Sequence, residues 1–222
     1  MNIKIVLFAA ANLKKDEIFK KNILEIGSFD FNGSIRPVIM SLKPRKYIGV
    51  DIVKGSGVDK VCRVEDLLLE FGQERFDMVI STELLEHVRD WRLAIHNIKN
   101  ICKPKGIIFI STRSYGFPFH GYPDDYWRYE IKDLKHIFGD CDICKIESDN
   151  LGGVMVKVKK PVKFIEKDLS KYNLYSIVTD KRVLKICDKD LKSLRFRLFV
   201  LKSKIKNAVI GSLRSAGKFM GF

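Results

Sequence analysis

Two carboxylates and an imidazole lie within five residues in the segment Glu83-Leu84-Leu85-Glu86-His87. Read as the start of a helix, this spacing puts Glu83, Glu86 and His87 on one face, at i, i+3 and i+4. Such a set has two uses. Together the three donors can hold Mg²⁺, Mn²⁺ or Zn²⁺. The imidazole alone can take a proton from a hydroxyl, because it ordinarily titrates near neutrality. A second imidazole, His120, lies in the run Ser114–Tyr129, which carries seven aromatic residues. Aromatic faces stack on flat rings or sugar rings, and polar groups between them can bond hydroxyls. Tyr122, Asp124, Asp125, Tyr126, Trp127 and Arg128 are therefore the candidate ligand-binding residues of this loop. The same aromatics could instead pack as a lid against the domain. His87 and His120 both stand as candidate bases, and residue type does not choose between them.

Groups like these need a rigid frame, and the chain supplies a repeating one. Short apolar runs at 22–26, 46–51, 59–62, 76–81 and 106–112 read as buried strands. Helical patterns at 34–42, 64–71 and 91–102 lie between them. The last stops at Lys103-Pro104-Lys105-Gly106. Strand and helix alternating in this way predict a doubly wound, mostly parallel α/β sheet. A helix near 131–138 follows, then strands at 141–148 and 153–159 separated by four residues. So short a connection makes a hairpin, which sets the last strand antiparallel and completes a seven-stranded sheet.

The first strand runs into Leu24-Glu25-Ile26-Gly27-Ser28. A glycine directly after a buried strand lets the backbone turn sharply and lets a ligand approach closely. Ser34 is placed to cap the next helix, whose amides would face that ligand. The second strand ends in Asp51, 24 residues after Gly27, where this architecture holds a ribose diol. The dinucleotide fingerprint GxGxxG is absent, which removes the main support for nicotinamide binding.

These segments, in order with FDMVISTELLEHVRDW and KPKGIIFIS, resemble the class I S-adenosylmethionine (SAM) dependent methyltransferases over about residues 22–159. The resemblance implies a Rossmann-like methyltransferase fold with SAM as cofactor. Glu25, Gly27 and Ser28 would meet its methionine end, and Asp51 its ribose. Glu65 and Asp66 would stand near the adenine, with Ser81, Thr82 and Glu83 along the floor. Two positions depart from the family pattern. Phe29 stands where a second glycine is usual, and Arg63 where an acid is common after the third strand. The aromatic run resembles that of polysaccharide-modifying relatives, so the implied activity is O-methylation of a saccharide or glycoconjugate hydroxyl. Alternatives are a lipid or quinone hydroxyl, an RNA ribose with a Glu83–Glu86–His87 metal site, and a non-catalytic scaffold.

The formal charge of +14 is concentrated at the end of the chain. From residue 191 onward there are eight basic residues and no acids, leaving 33 basic against 27 acidic side chains before it. In this stretch Leu191, Leu194, Leu198, Leu201, Ile205, Val209 and Leu213 recur at helical spacing. The expected organisation is a methyltransferase domain over 1–160 and a helical, basic extension over 161–222. That extension suits an anionic membrane surface, or docking on its own domain or in a homodimer. No nucleic-acid motif accompanies the charge. Five cysteines at irregular spacing, with Cys141 and Cys144 as ordinary packing, fit a reducing cytosol rather than a disulfide framework. No apolar run reaches the roughly 20 residues of a membrane helix.

Overall fold

The computed structural model describes residues 2–121 and 124–205. The chain opens with helices α1 (Ile3–Asn12) and α2 (Lys15–Ile18), which the sequence reading does not place. Strand β1 (Asn22–Ile26), helix α3 (Arg36–Ser41), and strands β2 (Lys46–Asp51) and β3 (Lys60–Val61) follow. Then come α4 (Leu67–Phe71), β4 (Phe76–Thr82), α5 (Trp91–Ile101) and β5 (Cys102–Arg113). Next are β6 (Trp127–Arg128), α6 (Ile131–Ile137), β7 (Asp142–Ser148) and β8 (Gly153–Lys159). The chain continues through β9 (Leu174–Ser176), β10 (Lys181–Val183) and α7 (Asp188–Leu191).

The main sheet has seven strands in the order β3-β2-β1-β4-β5-β8-β7. All neighbours are parallel except β8, which is antiparallel to both β5 and β7. Side chains alternate across a strand, and the core divides accordingly. Leu24, Ile26, Val79, Ile108 and Ile110 pack with α4 and α5 on one face. Ile23, Met78, Ile80, Ile107 and Phe109 pack with α1 and α3 on the other. Because both faces are covered, the central strands read as continuous Ile/Leu/Val runs.

The direction of winding reverses between β1 and β4, where an open α/β sheet leaves a crevice at the strands' carboxyl ends. Register brings those ends together: Ile26 pairs with Val50 on one side and with Ser81 on the other.

The extension expected to be helical from residue 161 is built differently. Leu169, Leu174, Val178 and Ile186 are buried in the main core, and β9 pairs with β6 and β10 in a small antiparallel sheet. Arg92 on α5 donates to the carbonyls of Leu169 and Tyr172 (2.8 and 2.7 Å), and Arg89 to that of Ile186. These strands are too short to show a period of two, which is why the pattern fades after Pro161. Helix resumes with the single turn of α7 and then over 194–205, where Ser193 Oγ accepts from the Phe196 amide at 3.3 Å. The expected stripe positions Val209 and Leu213 lie outside the described residues. Cys141 is half-buried against the core while Cys144 is exposed, and no helix among the described residues is long and apolar enough to cross a membrane.

Candidate active site

At the β1 end the chain turns at Gly27, with φ of +76°, the left-handed region that favours glycine. A Cβ there would come within 3.2 Å of Leu84. The amides of Gly27 and Ser28 both donate to the Val50 carbonyl (2.9 and 3.0 Å), tying the turn to β2. Asp51 closes that strand, and its carboxylate accepts from the amides of Phe29 and Val53, each at 3.2 Å. The acid and the glycine turn are thus one hydrogen-bonded unit. Phe29 occupies the place of the usual second glycine and lays its ring over Gly55, where a Cβ would come within 2.1 Å of it.

Beneath the turn, Glu25 is almost fully buried and accepts from the Tyr47 hydroxyl at 2.7 Å. Burial lifts its carboxyl to about 7 against the pull of that hydrogen bond. Ser28 and Ser81 have buried hydroxyls with no partner among the described residues, two polar groups available to a ligand at the crevice. A positive-φ glycine, a strand-end acid and these hydroxyls fit the donor half expected of SAM. Glu65 and Asp66 lie in a short 3₁₀ turn with Val64, where Glu65 pairs with Arg63.

On the other side of Leu84 the geometry departs from expectation. Glu83 does not start a helix. It sits at φ +56° with its amide on the Ser111 carbonyl at 2.9 Å, and a single 3₁₀ turn follows over Leu85–His87. Glu83 therefore leaves the face shared by Glu86 and His87 and pairs with Arg113 at the end of β5. Burial, then the neighbouring Glu86 charge, raises its carboxyl to about 7 even though Arg113 opposes them.

The place expected for Glu83 is taken by His120. Glu86 is fully buried; one oxygen accepts from Thr112 Oγ1 at 2.7 Å, and Oε1 has no hydrogen-bond partner among the described residues. The Nε2 atoms of His87 and His120 each lie 3.9 Å from that Oε1. His87 Nδ1 bonds the Asp124 carbonyl, which can only accept, so the proton is on Nδ1. His120 Nδ1 lies 2.9 Å from the Asp125 carboxylate. Both rings thus turn Nε2 toward Glu86. Among the described residues, Glu86, His87 and His120 have donor atoms all within 4.8 Å of one another, so they, rather than Glu83, Glu86 and His87, form the set that can hold a metal ion.

The loop residues expected to bind an acceptor mostly do not face solvent. Trp127 is fully buried and its indole N–H donates to the Val88 and Arg89 carbonyls, each at 3.1 Å. The Tyr126 amide donates to the Glu86 carbonyl at 2.8 Å, and the ring is buried. Arg128 and Asp125 are buried against each other, with Nη1 to Oδ1 at 2.5 Å. Burial pushes the Asp125 carboxyl up, but Arg128 and His120 together hold it down at about 2. The apolar content of the loop went into packing, so Tyr126, Trp127 and Arg128 position the site instead of lining it. Asp124 remains exposed, and Tyr122 lies outside the described residues. Arg113 and Phe117, which the sequence reading passes over, stand beside the imidazoles: the guanidinium sits 3.9 Å from the Phe117 ring centre, and Phe117 meets His120 edge-on. Arg113 could have been found, since it ends a strand at the edge where ligands bind.

Residues 3–145 match the family model described as a methyltransferase domain. A 116-residue stretch is 30% identical to the ubiquinone biosynthesis O-methyltransferase of Haemophilus ducreyi. It spans 45% of this chain and 48% of that protein, about half its length. Solved structures share the fold at low identity. The 1,6-didemethyltoxoflavin-N1-methyltransferase of Burkholderia thailandensis, determined with S-adenosylhomocysteine, superposes with a TM-score of 0.55 at 16% identity, over 71% of this chain and 78% of that one. An S-adenosylmethionine-dependent methyltransferase from Mesorhizobium loti gives 0.54 at 14%, over 69% and 96%. With the glycine turn, the strand-end acid and the sheet order in hand, the chain belongs to the class I SAM-dependent methyltransferase family.

Proposed function

We propose that this methyltransferase transfers its methyl group to a hydroxyl of a saccharide or glycoconjugate. The observation that carries the oxygen acceptor is the pair of Nε2 atoms aimed at one buried carboxylate oxygen beside the donor turn. SAM, when bound, supplies an electrophilic methyl on a cationic sulfonium. In-line transfer then depends on holding the acceptor oxygen in place and removing its proton. His87 or His120 takes that proton on Nε2. Glu86 stabilises the imidazolium so formed, as a buried carboxylate does best when it gains a charge partner. The Glu83–Arg113 pair and Asp124 supply donors and acceptors suited to further hydroxyls, and the Phe117 ring supplies an apolar face.

A quinone or lipid hydroxyl is the second reading, supported by the similarity to the ubiquinone enzyme. The test is transfer of labelled methyl from SAM to pooled glycan, lipid and RNA acceptors. Label in the glycan pool is the expected result. Label confined to lipid or RNA overturns the saccharide assignment, and label on nitrogen or sulfur overturns the O-methyl reading. Repeating the assay with a chelator separates a bare imidazole base, which survives it, from a cation held by Glu86, His87 and His120, which does not.

A further inference from the structure

The helix over residues 194–205 carries two faces with different occupants. Phe196 and Phe199 pack edge-on against Phe119 of the aromatic loop, with ring centres 6.0 and 5.6 Å apart. That face holds the helix to its own domain. On the opposite side Leu194, Leu198, Leu201 and Ile205 are exposed, at 72%, 47%, 54% and 56%. At 3.6 residues per turn these four fall within about 60° of one another, a single straight stripe. Arg195 and Lys202 border the stripe on one side, and Arg197 and Lys204 on the other; the segment holds no acid. Arg195 reaches back to Asp180 at 2.6 Å, while Arg197, Lys202 and Lys204 have no ion-pair partner among the described residues.

We propose that this helix is an interfacial anchor that lies on an anionic lipid surface, its leucine stripe entering the bilayer boundary. An apolar stripe bordered by cations is what such a surface takes up: acyl chains receive the leucines and acidic headgroups receive the basic flanks. Each cation near the surface adds to the attraction. A second copy of the helix fits less well, because stripe-to-stripe pairing would bring like-charged flanks together. Docking on its own domain is already accomplished by the phenylalanine face. Since Phe119 is followed by His120, the anchored helix sets the lipid surface beside the loop that carries a site imidazole.

Co-sedimentation of the full chain with vesicles tests the anchor. Phosphatidylcholine mixed with phosphatidylglycerol is expected to pull the protein down, phosphatidylcholine alone is not, and added salt releases it. A Leu198→Glu/Leu201→Glu variant should lose binding by about a hundredfold or more, roughly what removing two buried leucines implies. Its thermal stabilisation by S-adenosylhomocysteine should not change, which shows that the domain still folds and keeps its donor site. Lys202→Glu/Lys204→Glu should weaken vesicle binding and leave that stabilisation intact. Wild-type protein that ignores anionic vesicles, or a leucine variant that binds them as well as wild type, overturns the proposal. So does a wild-type dimer that the leucine substitutions convert to a monomer without any vesicle binding. None of these readouts requires the acceptor to be known, so they stand apart from the saccharide assignment.

Discussion

Asp125 holds His120 from two directions: its Oδ2 accepts the His120 amide at 3.0 Å and lies 2.9 Å from the ring's Nδ1. Arg128 donates to both oxygens, Nη1 to Oδ1 at 2.5 Å and Nη2 to Oδ2 at 2.8 Å. One buried carboxylate thus fixes a loop residue's backbone and the fold of the loop around it, and stands beside its imidazole. Asp125→Asn should cost about 3–5 kcal/mol, because it leaves the buried Arg128 guanidinium unpaired. The depressed Asp125 carboxyl gives the sign of a pH effect. Its stabilisation is present above the usual carboxylate value of 3.8 and is lost as pH falls toward about 2. Acid unfolding of wild type and variant, followed by circular dichroism, should converge in that window.

Glu25 behaves in the opposite sense. Its carboxyl is raised from 4.5 to about 7, so the folded chain binds a proton that the unfolded chain does not. The resulting stability is full below about 4.5 and is lost as pH rises through about 7. Glu83 is raised to the same value, so Glu25→Gln should remove about half of the slope and leave the share of Glu83, and a melting-temperature series from pH 5 to about 8 reads the difference. A variant with the full wild-type slope would mean the proton sits elsewhere.

Replacing either imidazole tests the base. His87→Ala and His120→Ala should leave S-adenosylhomocysteine affinity within about threefold. The one that carries the proton should lower kcat by about 10²–10⁴. If both retain wild-type turnover, the cluster does not activate the acceptor.

Trp127 belongs to the frame and not to the ligand surface. Trp127→Ala should therefore cost about 3–5 kcal/mol of stability, as truncation of a fully buried aromatic does. Phe117→Ala removes a ring that is only half-buried and should act on turnover more than on unfolding. Urea titrations of the two variants beside their kinetics separate frame from lining.

Asp51→Ala should weaken donor binding by about 1.5–3 kcal/mol, the range for a charge-assisted hydrogen bond. Titration calorimetry with S-adenosylhomocysteine measures it. Undiminished affinity would leave the Asp51 carboxylate with only its contact to the glycine turn at the Phe29 amide and its local contact to the Val53 amide.

The sequence alone determined the sheet. Leu24, Val79 and Ile108 lie in runs buried on both faces, and such runs are legible because burial of a whole strand leaves no polar alternation to hide it. Gly27 and Asp51 were legible as well, since both sit at strand ends where local chain order fixes the neighbourhood. Tertiary structure decided the rest. Glu83, Glu86 and His87 share a helical spacing, yet Glu83 turned away because Arg113, thirty residues later, offered a charge partner at the end of β5. His120 joined Glu86 because Asp125 and Arg128 folded its loop back onto the turn that follows β4. Trp127 and Tyr126 have the composition of a binding surface; burial took them because the turn after β4 presented carbonyls that their N–H groups could reach. Local pattern specifies which elements form. Which side chains meet depends on long-range pairing of charges and hydrogen bonds, and no periodicity in the chain records it.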